Sequence, residues 1–171
     1  MQMMKFLLTY MGLALVPLFS MGQHEPIISQ YMQNALPLNP AFAGSREAMS
    51  IAASYRNQWT GLNGAPTTQT LSLHAPTRTE SIAIGGVIYH DQIGVSDRTG
   101  INATGAYLMD LGTGKLSFGL SGGLVIGKNS WSEVITTDEG DDVFESGDDN
   151  YLLPDFGTGV YYYTSKYYAS L

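Results

Sequence analysis

The feature that most constrains this chain is a period-two alternation of apolar side chains with small or polar ones. It is clearest in residues 115–128, whose apolar positions are Leu116, Phe118, Leu120, Leu124 and Ile126. Successive side chains of a β-strand face opposite sides of the sheet, so this segment predicts a strand with one apolar face and one small, polar face. The same alternation recurs in residues 49–56, 68–75, 81–90, 101–110, 156–163 and 167–171.

Strand length and composition leave two surroundings open for the apolar faces, a second sheet in a soluble β protein or lipid around a membrane barrel. Several segments approach the roughly 9–11 residues that a tilted strand needs to cross a bilayer, whereas strands of soluble proteins average about 5–6 residues. Only 13% of the residues are charged, against roughly 25% in soluble domains. No apolar run reaches the roughly 18 residues of a spanning helix. We expect an all-β fold, and the lengths of the connections favour a transmembrane antiparallel up-and-down β-barrel over a sandwich.

The connections between the predicted strands alternate between long and short. The long ones are residues 57–66, 91–99 and 129–155, and the short ones are residues 76–80, 111–114 and 165–166. Outer-membrane barrels have short periplasmic turns and longer extracellular loops. The alternation therefore predicts that the long connections lie on the extracellular side.

The number of predicted strands is smaller than a closed barrel requires. Some seven strands fit the sequence, and the last has barely begun at Leu171. Bacterial single-chain barrels have an even number of strands, at least eight, and an open edge would leave backbone groups unpaired in lipid. We expect an incomplete N-terminal half of a barrel, from a truncated gene product or a fragment, which does not close alone.

Residues 1–22 have the pattern of a secretory signal peptide. Lys5 provides the positive charge, residues 6–19 are largely apolar, and Ser20 and Gly22 are small residues at the expected cleavage site. An N-terminal membrane anchor is the alternative, but the apolar run is short for one. The sequence predicts three parts: a signal peptide at 1–22, an N-terminal periplasmic segment at 23–47, and a partial outer-membrane β-barrel at 48–171.

Charge and side-chain chemistry argue against several kinds of site. The net charge is -7, and residues 138–149 hold the excess of acids, while the rest is balanced and lacks the basic patch of a nucleic-acid-binding protein. This acidic loop is either solvated or a calcium site, although it lacks the EF-hand spacing. The chain has no cysteine and its three histidines are dispersed, so we expect no metal site and no cofactor. His74 and Ser72 share the polar face of one strand, where a hydrogen-bonded pair is a simpler interpretation than a catalytic one.

Several motifs carry a resemblance to a known family. They are Gln30-Tyr31-Met32, Leu38-Asn39-Pro40-Ala41-Phe42-Ala43-Gly44-Ser45, Tyr55-Arg56-Asn57-Gln58-Trp59-Thr60-Gly61, Gly64-Ala65-Pro66, Thr70-Leu71-Ser72, Asp91-Gln92-Ile93-Gly94-Val95, Arg98-Thr99-Gly100-Ile101, Lys115-Leu116-Ser117-Phe118-Gly119-Leu120 and Pro154-Asp155-Phe156-Gly157-Thr158-Gly159-Val160. With these motifs the chain resembles the PorP/SprF family, the outer-membrane proteins associated with the type IX secretion system of Bacteroidetes. The resemblance covers nearly all of residues 27–171 and corresponds to the N-terminal half of the family's length.

The resemblance implies a non-enzymatic barrel in the cell outer membrane. Members of the family help secreted adhesins or enzymes to reach or stay at the cell surface, and some contact the periplasmic parts of the secretion and gliding apparatus. The partners implied for this chain are therefore secretion-system components in the periplasm and outer membrane, a secreted adhesin or enzyme as cargo, and outer-membrane lipid. No nucleic acid is implied.

Two segments contain candidate partner-binding residues. Asn39, Pro40, Phe42 and Gly44 precede the first strand, where Pro40 disfavours a helical Asn39 and Gly44 can adopt a positive φ. This segment is either a plug-like turn in the periplasmic mouth of the barrel or a docking segment for periplasmic partners. Arg56 and Trp59 lie in the first hairpin, where Trp59 is either a residue of the aromatic belt or a contact for cargo.

Two other functions remain open from the sequence. A passive porin-like channel would have the same fold, and the small, glycine-rich inner face of residues 115–128 leaves room for an open lumen. A secreted soluble β-sandwich would have the same alternation, with a second sheet on the apolar face. Occlusion of the lumen distinguishes a partner-binding barrel from a channel, and the surroundings of the apolar face distinguish a barrel from a sandwich.

Overall fold

A computed structural model describes residues 31–131 and 148–171 of the chain. The predicted signal peptide and most of the acidic loop lie outside the described residues. All seven predicted strands are confirmed, and each pairs antiparallel with the next in chain order. The strands are β1 (Ser50–Asn57), β2 (Thr67–Pro76), β3 (Ile82–Ile93), β4 (Ser96–Leu111), β5 (Gly114–Asn129), β6 (Asp149–Tyr163) and β7 (Tyr168–Ser170).

The two faces of the sheet have the composition that the alternation predicts. On β2, the side chains of Thr68, Thr70, Ser72 and His74 are buried, while Leu71 and Leu73 are exposed. The sheet curls into a half-barrel with the small, polar face inside. A sandwich would cover the apolar face with a second sheet, and the described strands form one sheet only. The soluble-sandwich alternative is therefore wrong.

The outer face carries a broad apolar band that ends in polar residues. Exposed side chains of the band include Ile51, Ile84, Leu120, Leu124 and Phe156. Above the band, strand register aligns one lateral row of outward-facing polar residues, here called the polar collar: Asn57, Thr67, Gln92, Asp97, Lys128 and Asn150. Within the described part of the chain, no helix is long and apolar enough to span a membrane.

The connections lie at two ends of the sheet. The loop end carries residues 58–66 and 94–95 and the described ends of the third connection, residues 130–131 and 148, and the turn end carries residues 77–81, 112–113 and 164–167. The expected long connection at residues 91–99 is wrong, because β3 and β4 continue to a two-residue turn, Gly94-Val95. The polar residues there belong to paired strands: Asp91 is buried on the inner face, and the His90 ring is 3.0 Å from the Thr99 hydroxyl on the outer face. Strict alternation of long and short connections therefore fails.

The expected connection at residues 129–155 is also shorter than predicted. Strand β6 begins at Asp149, which pairs with Asn129, so the connection comprises residues 130–148. Pro154, which lacks a backbone N–H, lies within β6 opposite Leu124. Among the described strands, β7 pairs only with residues 161–163 of β6, so Pro154 lies where β6 has a single neighbour. Proline is tolerated at such edge positions of a sheet.

Candidate functional site

The inner face at the turn end is occupied by the segment before β1. Residues 33–46, here called the inserted loop, pack against β4, β5 and β6 with Leu36, Ala41, Phe42 and Ala43 buried. The flanking stems, residues 31–33 and 46–49, are exposed. The Arg46 guanidinium donates a hydrogen bond to the carbonyl oxygen of Gln33, which ties the two stems together. The segment is thus a compact loop with adjacent ends, the form of an Ω-loop.

Asn39 is the main polar anchor of the inserted loop. It has φ -145°, as expected before a proline, and its side-chain oxygen accepts the N–H of Ala41 at 2.8 Å to cap a short 3₁₀ helix at Pro40–Phe42. Its side-chain N–H₂ donates to the Val160 carbonyl at 3.0 Å and the Ser170 hydroxyl at 2.8 Å. One buried amide therefore fixes the loop's shape and also attaches it to β6 and β7.

Phe42 and Gly44 complete the apolar and polar contacts of the inserted loop. The Phe42 ring lies edge-on to both His74 and Tyr161, with ring centroids 5.5 Å apart in each case. The N–H of Gly44 donates to Nδ1 of His74 at 3.1 Å. Gly44 has φ +76°, as the sequence predicts, and an added Cβ would lie 2.4 Å from the Cβ of Ala83. This position therefore requires glycine for both conformation and space.

Two inward-facing glycines provide the space that the inserted loop fills. A Cβ on Gly119 would lie 2.1 Å from the backbone nitrogen of Ala41, and a Cβ on Gly159 would lie 2.0 Å from Oδ1 of Asn39. The glycine-rich inner face that the sequence left as possible open space is therefore covered at the turn end. These glycines were the signal in the sequence for a segment packed inside the sheet.

The pair of Ser72 and His74 has a structural role. The Ser72 hydroxyl donates to the side-chain oxygen of Asn34 at 2.9 Å, and Nδ1 of His74 accepts the N–H of Gly44. Each side chain is thus bonded to the inserted loop rather than to the other, so the expected hydrogen-bonded pair is wrong. Asn34, Leu36, Tyr161 and Ser170 belong to the same contact and were not identified from the sequence.

The loop-end half of the inner face is a polar wall that the inserted loop does not reach. Strand register places Arg56, Thr68, Asp91 and Arg98 side by side in one lateral row. The Thr68 hydroxyl donates to the Asp91 carboxylate. Four residues further along β4 from Arg98, the Asn102 amide donates to the Asp155 carboxylate at 2.8 Å across Gly123.

Trp59 also lies at the loop end, in the connection between β1 and β2. Its side chain is 69% exposed, and it has φ +51°, which is unusual for a bulky residue. Hydrogen bonds from Gln58 to Pro66 and from Gly94 to Gly64, both 3.0 Å, hold the surrounding loop. Arg56 is six residues along β1 from Ser50, roughly 20 Å at the usual rise per residue. The six candidate residues therefore form two groups: Asn39, Pro40, Phe42 and Gly44 at the turn end, and Arg56 and Trp59 at the loop end.

Comparison with known proteins agrees with this architecture. Residues 20–171 match the family described as "Type IX secretion system membrane protein PorP/SprF". No curated protein and no solved structure matches the chain. Since the match covers all seven strands and the inserted loop, the chain belongs to the PorP/SprF family of type IX secretion system membrane proteins.

Proposed function

We propose that this protein is a non-enzymatic β-barrel component of the outer membrane that helps secreted adhesins or enzymes to be exported or held at the cell surface. Residues 1–22 serve as the signal peptide, residues 23–47 as an N-terminal segment on the periplasmic side, and residues 48–171 as part of the barrel. Membership of a type IX secretion membrane family supports this role. The partners are then periplasmic and outer-membrane components of the secretion system, the cargo, and the surrounding lipid.

The single observation that carries the proposal is the position of the inserted loop. It fills the inner face at the turn end, while the inner wall at the loop end stays polar and uncovered by it. A passive porin needs a continuous aqueous path along its inner face, and the inserted loop covers that face at the turn end. The arrangement favours a barrel that holds a partner over one that conducts solutes.

The two groups of candidate residues suit different partners. Asn39, Pro40, Phe42 and Gly44 are buried, so we propose that they act by holding the inserted loop, whose exposed stems face the turn end. Tyr31 and Met32 of the first stem are 50% and 71% exposed and are available to a periplasmic component. Arg56 and Trp59 lie at the loop end, where we propose that they contact the cargo.

Sidedness is the first point to test, and the absence of cysteine makes it straightforward. Thr60→Cys at the loop end should react with a membrane-impermeant maleimide on intact cells. Thr79→Cys at the turn end should react only after the outer membrane is opened. Labelling of Thr79→Cys but not Thr60→Cys on intact cells would invert the topology.

Photo-crosslinking then tests the partners themselves. A photoreactive amino acid at Trp59 should capture secreted cargo, and one at Met32 should capture a periplasmic secretion component. The same residue at Ile84, which faces outward in the apolar band and is 59% exposed, should capture neither and serves as the control. Porin-like conductance of the purified protein, together with absence of both crosslinks, would contradict the proposal.

A further inference from the structure

A groove of about 310 Å³ lies at the loop end, on the outside of the sheet. Three of its lining residues, Asn57, Thr67 and Gln92, are neighbours in register and belong to the polar collar. Thr67 and Gln92 are next in sequence to Thr68 and Asp91, which are buried on the inner face. Because successive side chains of a strand face opposite sides, these two residues and the paired Asn57 face outward. Residues 60–65 line the other side of the groove, which means that the first loop folds outward over the collar.

The groove lies at the edge of the apolar band. Along β2, the outward-facing residues after Thr67 are Gln69, then the exposed Leu71 and Leu73. In a membrane, the interface between hydrocarbon and water is at the level where such an apolar band gives way to polar residues. The groove is therefore at the level of the lipid headgroups, and the apolar outer face continues directly from it.

The lining of the groove is uncharged and rich in hydrogen-bonding groups. The amides of Asn57, Asn63 and Gln92 and the hydroxyls of Thr60 and Thr67 each can donate and accept. Gly61 and Gly64 leave backbone groups without side-chain cover. A ligand that matches this lining presents many hydroxyl groups and no net charge.

A phosphate headgroup does not fit this lining. No lysine or arginine lines the groove, so a phosphate would find no positive charge there to offset its own. A sugar headgroup, in contrast, offers hydroxyls that both donate and accept. Trp59 does not line the groove, but its exposed indole is next in sequence to the lining residue Thr60, so its emission can report binding there.

The first loop is also held in place before any ligand binds. Leu62 N–H donates to the Trp59 carbonyl at 3.1 Å, and Gly94 N–H donates to the Gly64 carbonyl at 3.0 Å. Trp59 keeps a left-handed backbone conformation with φ +51° that costs free energy. Leu62, which is 65% exposed, lies between these fixed points. A loop ordered in this way loses little further entropy on binding.

We propose that this groove binds the uncharged sugar headgroup of a glycolipid in the leaflet that surrounds the loop end. The acyl chains would extend from the groove along the apolar outer face, past Leu71 and Ile88. This inference depends on the membrane placement of the barrel and assigns a specific lipid partner to it. Cargo contact at Trp59 is the competing use of the same loop.

The experiment measures binding of a glycolipid to the full chain in detergent micelles. Trp131→Phe leaves Trp59 as the single tryptophan, so its emission reports the first loop. The protein in zwitterionic micelles is titrated with digalactosyl diacylglycerol and, separately, with phosphatidylcholine of the same acyl chains. We expect a saturable change in Trp59 emission with the glycolipid and none with phosphatidylcholine.

Paired variants test the lining. Asn57→Ala with Gln92→Ala should weaken glycolipid binding about tenfold or more, as expected for the loss of two hydrogen-bonding amides. Asn150→Ala removes an amide from the same polar collar at a distance from the groove, and it should bind like the parent.

Three results would overturn the proposal. Equal binding of both lipids would show that acyl chains suffice, and equally tight binding of free digalactose would make the site one for soluble saccharides. No glycolipid response from a protein whose Trp59 still crosslinks to cargo would assign the loop to cargo instead. None of these results would affect the periplasmic crosslink at Met32, so failure of this inference is distinguishable from failure of the proposed function.

Discussion

The two halves of the inner wall are built in different ways from similar residue types. At the turn end, Gly119 and Gly159 leave space that the inserted loop fills, so their neighbours are main-chain atoms of another segment. At the loop end, Gly123 leaves space that Asn102 and Asp155 fill by bonding across it. Glycines on the inner face thus make room for another segment of the chain in one half, and for a hydrogen bond between strands in the other.

The two halves therefore depend on different kinds of contact. The turn end depends on a contact between distant parts of the chain, and it is vulnerable to single changes that displace the inserted loop. The loop end depends on contacts between neighbouring strands and should withstand such changes. Substitutions in each half can therefore show whether the two halves are independent of each other.

The largest effect is expected from Gly119→Val. An added side chain would overlap the backbone of Pro40 and Ala41, whose nearest atoms lie 2.1–2.3 Å from the Cβ position. Because backbone cannot move aside as a flexible side chain can, we expect the inserted loop to leave the inner face. Chymotrypsin should then cleave after Phe42, which is only 6% exposed in the intact protein, and mass spectrometry would identify the cut.

Gly105→Val is the matched control for that experiment. Gly105 faces outward on β4, and a Cβ there would meet nothing within 4 Å. The control should keep Phe42 protected. Equal cleavage in both variants would mean that valine in the sheet, and not overlap with the inserted loop, causes the exposure.

Asn39 offers a smaller and more specific perturbation. Asn39→Ala removes the cap on Ala41 and the hydrogen bonds to Val160 and Ser170, and we expect a cost of about 2–3 kcal/mol because buried partners lose their bonds. Asn39→Asp keeps the oxygen that caps Ala41 but loses the donors. If the cap alone mattered, Asn39→Asp would match the parent in the rate of cleavage after Phe42, whereas we expect it to resemble Asn39→Ala.

At the loop end, Gly123→Val should affect the wall without opening the turn end. Its Cβ would lie 1.7 Å from Oδ1 of Asn102, so the bond to Asp155 must break. We expect a loss of about 1–3 kcal/mol in the free energy of unfolding, as for other overpacked sites. Phe42 should remain protected from chymotrypsin, and its exposure would show that the two halves are coupled.

The smallest effect concerns the second stem. A hydrogen bond from Lys115 at 2.6 Å, together with its charge, holds the pKa of Glu47 below the ordinary 4.5. A carboxylate with a lowered pKa in the folded state contributes stability above that ordinary value and loses it as the pH falls through the folded-state pKa. The free energy of unfolding, measured with urea, should fall slightly on acidification, and Glu47→Gln should remove that part of the pH dependence. Glu80→Gln, in another turn at the same end, should leave it unchanged.

The sequence was sufficient to predict the strands and their faces, because burial alternates with the period of the side chains. It misplaced the ends of β3, β4 and β6, since polar residues such as Asp91 and Thr99 continue the pairing beyond the apolar band. The sequence also predicted the backbone conformations of Asn39 and Gly44 around Pro40. The place where these residues pack could not be predicted, because Asn39 bonds to Val160, which is 121 residues away, and no local pattern encodes such a pairing.

The inserted loop also sets an order of events during assembly. It precedes every strand in the chain, yet its contacts extend from β2 to β7, so it can take its final place only after strands made later have paired. Until those strands have paired, Leu36 and Phe42 have no apolar surface to cover them. The bond from Arg46 to Gln33 ties the two stems together, so the compact loop can enter as one unit. Burial of the inserted loop would therefore mark the stage at which these strands have paired.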